Sequence, residues 1–190
     1  FLLALAVERS GAHHRIALYV LLLVGTTPTR LVLGFAAAAA ALSMWISNTA
    51  STLMMVPIAL AIVERAEAAD RAAAERFGLA VLLGTAYGAS IGGMGTPIGT
   101  PPNVIAINAL ELHFPKGPEL SFLNWFMVAL PIVVLVVPLM WWLLTRVVIR
   151  VDDRLDLGAE PVLRRDLASL GPVKNSERRA LAVFAVAAVL

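Results

Sequence analysis

The sequence predicts an all-α polytopic membrane protein built around a re-entrant helical hairpin and a discontinuous transmembrane helix, and three observations carry that expectation. Of the 190 residues, 59% are hydrophobic and the mean hydropathy is +0.84, well above the usage of soluble domains. Charged residues make up only 15% of the chain, against about a quarter in soluble domains. They are clustered, leaving three intervals free of Asp, Glu, Lys and Arg: 31–63, 77–110 and 120–145. About 20 apolar residues cross the hydrocarbon as a perpendicular helix, so each interval is long enough to lie in a membrane.

Composition also removes function classes. A net charge of +2 and no Arg/Lys stripe interleaved with aromatic residues give no footprint for nucleic acid. The absence of cysteine excludes disulfides, thiol chemistry and Cys-based metal sites. Residues 1–7 (FLLALAV) read as the end of a buried or spanning helix, and the apolar run 180–190 as the start of the next one. The chain is therefore expected to be an internal piece of a longer protein. Segment 1–30 then holds the end of one helix and an interfacial helix over 16–24, with His13 and His14 as interfacial residues.

Interval 31–63 is too long for one crossing and too short for two. The segment after Thr145 carries eight Arg/Lys up to Arg179, whereas 111–119 carries one Lys and two Glu. The first is cytoplasmic and the second external by the positive-inside rule. Both ends of 31–63 then lie inside, which predicts a re-entrant hairpin descending over 31–46, turning at Ser47, Asn48 and Thr49, and returning over 50–63. Irregular backbone at that depth is tolerated only against protein or a water-filled cavity. One long tilted helix with an ordinary polar contact is the alternative. Residues 64–76, Ala-rich with mixed charges, read as a cytoplasmic interfacial segment.

Interval 77–110 contains its own interruption. A helical arm over 77–90 gives way to IGGMGTPIGTPPN at 91–103, with four glycines and three prolines, before a short arm at 104–110. Thr100 followed by Pro101 fits a helix start. Broken helices of this kind mark transporter sites. Interval 120–145 reads as one tilted crossing, with Trp125 near one end and Trp141 and Trp142 near the other. Residues 146–179 read as a cytoplasmic linker.

Two polar breaks at similar depth suggest one site. Ser47, Asn48 and Thr49, with the backbone at Gly92 and Gly93, can hold a hard cation such as Na⁺ through hydroxyl, amide and carbonyl oxygens. Asn48 and Thr49, with Thr100 and the helix N-terminus after Pro101, can face an anion. No Asp, Glu or His lies in the three uncharged intervals, which counts against a proton relay and against an intramembrane metalloprotease. An intramembrane serine enzyme and a channel or structural protein remain as readings of other classes.

SMWISNTAS at 43–51, followed by SIGGMGTPIGTPPN at 90–103, closely resembles the divalent anion:sodium symporter family of bacterial dicarboxylate transporters and animal citrate carriers. The likeness extends over nearly the whole chain, departing at Pro97, where many relatives carry Leu. It implies that Ser43, Ser47 and Asn48 form a sodium site with the break around Gly92, Gly93 and Gly95, and that Asn48 and Thr49 lie beside a substrate carboxylate, with Thr100 and Pro101 near. Thr96, Pro97, Pro102 and Asn103 would shape the break. The resemblance further implies one inverted-repeat half of an elevator-type transporter, with 31–63 and 77–110 in the transport domain and 1–30 and 120–145 in the scaffold. It implies Na⁺ as coupling ion with no organic cofactor, a small dicarboxylate anion as substrate, a homodimer, a missing C-terminal half with the second hairpin, and multi-pass residence in the cytoplasmic membrane. Relatives that carry citrate or sulfate, or that work by proton coupling or exchange, mark the neighbouring alternatives.

Overall fold

The computed structural model describes residues 10–183 apart from 69, 116, 118, 119, 176, 180 and 181. The helix end expected over 1–7 lies outside the described residues, as does 180–190 except for 182 and 183. The described elements are helices: α1 (Ala12–Val24), α2 (Pro28–Ser43), α3 (Asn48–Glu67), α4 (Arg71–Gly93), α5 (Pro101–His113), α6 (Phe122–Trp142) and α7 (Ala159–Ser169). A π-helical segment, Leu143–Val148, continues α6 without interruption. Among the described residues two helices are long and apolar enough to cross a membrane, Asn48–Glu67 and Phe122–Val148.

The first uncharged interval is broken, and the break falls at 44–47, ahead of the expected turn at 47–49. Ser47 is the N-cap of α3, its Oγ accepting the Ala50 N–H at 3.2 Å. Once Ser47 caps the helix, Asn48 and Thr49 become its first turn. The second interval is also broken, over 94–100 and not 91–103, because α4 keeps Gly92 and Gly93 as its last residues. Glycine costs a helix about 1 kcal/mol relative to alanine; close packing of Gly92 on Ala40 and of Gly93 on Asn48 offsets that cost here. Helix resumes at Pro101 with Thr100 in extended conformation at the N-cap, and runs beyond Leu110 to His113.

Small residues set the packing. An added Cβ at Gly84 would stand 3.0 Å from the Val32 side chain, while at Gly88 and Gly92 it would run into the backbone of Ala36 and Ala40. The pairs advance by four residues on both helices, so α2 and α4 run parallel with backbones in contact, as small-xxx-small faces permit. On the other side of α4, Gly78 meets Val63 and Gly93 meets Asn48, so α3 runs antiparallel to α4 and therefore to α2. The α2–α3 pair is a helical hairpin with α4 packed against both arms.

Segment 64–76 is not a separate interfacial helix. Residues 64–67 are the last turn of α3 and 71–76 the first turns of α4, with Asp70 capping α4 by accepting the Ala73 N–H at 3.0 Å. Buried Ala66, Ala73 and Ala74 draw both ends into the core, which composition alone hid. Segment 146–179 is likewise docked against the hairpin base. Asp153 Oδ1 accepts from Thr29 N–H at 2.9 Å and Thr29 Oγ1 at 2.6 Å, Arg15 pairs with Glu177 at 2.9 Å, and Leu163 on α7 is fully buried. Thr29, Arg15, Asp153 and the α7 segment thus gather at one end of the bundle, the end that the charge pattern placed inside.

Two indoles tie α6 to the bundle at both levels. Trp141 Nε1 donates to Thr29 O at 2.7 Å, and Trp125 Nε1 donates to Met94 O at 3.0 Å. Between these tryptophans α6 rises about 24 Å at 1.5 Å per residue, which sets the depth of the two breaks below the hairpin base.

Candidate ion and anion site

The two breaks meet. Ser43 Oγ donates to Asn48 Oδ1 at 2.5 Å across the hairpin turn. That oxygen lies directly against Gly93, where an added Cβ would stand 2.5 Å from it. Thr96, in the second break, donates its hydroxyl to Met44 O in the first at 2.5 Å. Asn103, buried in the first turn of α5, uses its Nδ2 to bind Gly93 O and Thr96 O, each at 2.8 Å. Ser43 and Thr96 are fully buried, Asn48 is half-buried, and Ser47 and Thr49 are exposed.

Fixed dipoles supply the electrostatics, since the uncharged intervals bring no Asp, Glu, His, Lys or Arg. Helices α2 and α4 both end here, turning carbonyl oxygens and roughly half a negative charge each toward the junction. Helix α3 begins here and presents the opposite end. The N–H groups of Asn48 and Thr49 have no intrahelical acceptor by helix geometry, and Ser47 and Thr49 beside them are exposed. One face of the junction is therefore oxygen-rich and the other donor-rich.

On the oxygen-rich face, Ser43 Oγ and Asn48 Oδ1 pair beside Gly93, and an added Cβ at Gly99 would strike Gly93 O and approach the Ser43 carbonyl oxygen to 3.0 Å. This is a set of neutral, hard oxygens of the kind that Na⁺ takes, and the close Ser43–Asn48 pairing shows how tightly they converge. The carbonyls around the second break already hold donors: Gly92 O accepts from Gly95 N–H at 2.8 Å, Gly93 O from Asn103 and Met94 O from Trp125, so a cation there meets their remaining lone pairs. Gly92 faces the Ala40 backbone, so its place in the structure is that of a spacer between helices, while Gly95 packs on the Met44 side chain.

On the donor-rich face α5 contributes less than its N-terminus suggests. Pro101 and Pro102 have no N–H, and the Asn103 N–H is taken by Thr100 O at 3.1 Å. Thr100 makes no side-chain cap bond, which leaves its hydroxyl as the polar group of that turn. Pro97, Pro101 and Pro102 stand outside the buried oxygen cluster.

The sequence reading missed Gly99, the Gly84–Gly88–Gly92 ladder and the Trp125 hydrogen bond. The ladder carries a legible signal, glycines at four-residue spacing in an uncharged helix. Gly99 and Trp125 carry none, because their roles depend on contacts between distant segments. The Asn103 geometry makes a direct prediction. Asn103→Ala leaves two buried carbonyls without their amide donor and is expected to cost about 2 kcal/mol or more, read as a lower melting temperature. Asn103→Asp does not rescue it, because an ionised carboxylate offers those carbonyls no hydrogen.

The chain resembles known proteins along its whole length. The sodium-dependent dicarboxylate transporter SdcS of Staphylococcus aureus strain NCTC 8325 is 35% identical over 195 residues, as are its counterparts in strains COL and N315. The match takes in 100% of this chain but 37% of the relatives' length, so the chain spans well under half of the curated relatives it matches. The profile of the citrate transporter family matches residues 1–190. With a transporter family matched along its full length and with the motifs of both breaks in place, the intramembrane-enzyme reading falls away: the chain belongs to the citrate transporter family.

Proposed function

We propose that the full-length protein is a secondary active transporter of the cytoplasmic membrane that imports dicarboxylates of the succinate, malate and fumarate class together with Na⁺. The observation that carries this reading is the meeting of Ser43, Asn48 and Gly93 where two helices end and one begins. Sodium takes the oxygen-rich face, built from Ser43, Asn48 and backbone carbonyls of the second break near Gly93 and Gly95, with Ser47 at the rim. A substrate carboxylate takes the donor-rich face, at Asn48, Thr49 and the Thr100 hydroxyl beside Pro101. Sharing Asn48 between the two faces gives coupling a physical basis, because a filled cation site fixes the side chain that the anion meets.

Charge explains why an ion must travel with the anion. A bare dianion is expensive in a low-dielectric interior, and more than one Na⁺ neutralises it. One cation belongs to the site described here and another to the rest of the chain. In this reading the present chain is one inverted-repeat half, its hairpin re-enters the membrane from the cytoplasmic side, and the assembled homodimer works by an elevator movement. The paired Trp125 and Trp141 hydrogen bonds favour α6 travelling with the hairpin and α4, in place of the scaffold role expected for 120–145.

Uptake of labelled succinate by the full-length protein in proteoliposomes tests the reading. An inward Na⁺ gradient is expected to raise uptake at least tenfold over the same gradient of K⁺, and unlabelled malate and fumarate are expected to compete. Equal uptake in the two salts rejects sodium symport. Competition by citrate or sulfate in place of the dicarboxylates reassigns the substrate and leaves the sodium site standing.

A further inference from the structure

Several hydroxyl groups inside these helices are satisfied along their own helix. Thr52 Oγ1 donates to Asn48 O, Thr85 Oγ1 to Val81 O, Ser90 Oγ to Ala86 O and Thr145 Oγ1 to Trp141 O, each four residues back along its own helix. Back-bonding of this kind is how a hydroxyl is satisfied in an apolar helix. Ser51, fully buried in the first turns of α3, does not do it. Its carbonyl four residues back, Ser47 O, accepts only the Ser51 N–H, at 3.0 Å. Among the described residues, Ser51 Oγ is the one buried side-chain oxygen or nitrogen with no hydrogen-bond partner.

A buried, unsatisfied hydroxyl in a native protein has a reason. Ser51 lies three residues after Asn48 and four after Ser47, so it shares their face of α3. Asn48 turns that face toward Gly93 and Ser43. Unlike Ser47 and Thr49, which are exposed, Ser51 is fully buried, one helical turn along α3 from Asn48. An oxygen without a protein partner, on the helix face that carries Asn48 and one turn from it, is available as a ligand.

We propose that Ser51 is a further oxygen ligand of the Na⁺ bound at the junction of the two breaks, extending the coordination shell one helical turn along α3 beyond Asn48. The inference rests on the reading of that junction as a sodium site. In the ion-free protein the hydroxyl is a liability, a desolvated dipole without a partner. In the sodium-bound protein it is satisfied. Ser51 thereby makes the fold itself depend on the ion, and its removal has opposite consequences in the two states.

The experiment uses the full-length protein and two readouts, the melting temperature in detergent with no substrate present and the Na⁺ dependence of succinate uptake. Ser51→Ala is expected to melt at or above the wild-type temperature in choline or K⁺, because it removes the orphaned hydroxyl. The same variant is expected to lose at least half of the Na⁺-induced upward shift, and its half-saturating Na⁺ concentration for uptake is expected to rise five- to tenfold. Ser51→Thr, which keeps the hydroxyl, is expected to recover most of the shift. If Ser51→Ala lowers the Na⁺-free melting temperature and keeps the full Na⁺ shift, the hydroxyl serves packing and the inference is overturned. A wild-type protein with no Na⁺ shift and no Na⁺-dependent uptake defeats the sodium reading as a whole, an outcome distinct from failure at Ser51 alone.

Discussion

Gly92→Ala is expected to remove sodium-driven uptake and most of the folded protein with it. An alanine Cβ at this position would lie inside the Ala40 backbone, meeting its carbonyl oxygen, Cα and carbonyl carbon at once. None of these is a side chain that can rotate away. Relief requires α2 and α4 to separate at the level where both helices end, and that movement pulls Ser43 from Gly93. Overpacking costs about 1–3 kcal/mol even in cores that relax through side chains, so a backbone-on-backbone clash is expected at or above the top of that range. Gly78→Ala is the control, since its Cβ would meet only the Val63 methyl groups, at 3.3 Å. The check is folded yield by size-exclusion chromatography and melting temperature, with uptake measured on whatever monodisperse protein remains.

The second large effect is expected at Asn48, where damage should be functional before it is structural. Asn48→Ala removes the acceptor of the Ser43 hydroxyl and the side-chain oxygen packed on Gly93, while the Ser47 cap on Ala50 and the register of α3 are kept. The half-saturating Na⁺ concentration is expected to rise at least tenfold, equivalent to about 1.4 kcal/mol of lost binding. Because the same residue begins the donor-rich face, the apparent KM for succinate is expected to rise at saturating Na⁺ as well. Asn48→Asp separates the two faces: its added negative charge favours the cation and opposes the anion. A variant with wild-type Na⁺ dependence would remove Asn48 from the coordination shell.

The two breaks were legible because membranes leave so few reasons for their composition. A Ser-Asn-Thr run inside 31–63 and a Gly/Pro-rich run inside 77–110 have no bland place in hydrocarbon, and each proved to border a helix interruption, at 44–47 and at 94–100. Their exact limits were not legible. Whether Ser47 turns or caps depends on a hydrogen bond to Ala50 that three adjacent polar residues offer in several ways. Gly92 and Gly93 looked like breakers because glycine is a poor helix former; they remain helical where Gly92 packs on Ala40 of α2 and Gly93 on Asn48 of α3, information that sits some fifty residues away. The docking of 146–179 was hidden for the same reason. Asp153 and Glu177 resemble ordinary surface acids until Thr29 and Arg15, at separations of 124 and 162 residues, are brought beside them. At the site, the residue types were readable from chemistry, but the division of labour was not. Nothing in GGMGTPIGTPPN says that Asn103 holds the Gly93 and Thr96 carbonyls, that Pro101 and Pro102 strip α5 of donors, or that Gly99 keeps the space between Ser43 O and Gly93 O.

The most direct test of a single cation held between the two breaks is the Na⁺-induced rise in melting temperature of the full-length protein, measured without substrate against equal K⁺. One change is made in each break: Asn48→Ala on the hairpin side and Thr96→Val, which cuts the hydroxyl tie to Met44 O, on the other. A rise with Na⁺ but not K⁺ in the wild type, weakened by either change and no weaker when both are combined than in the more affected single variant, is the predicted result. A rise that survives both changes, or two losses that simply add, would place the ion elsewhere and contradict the account.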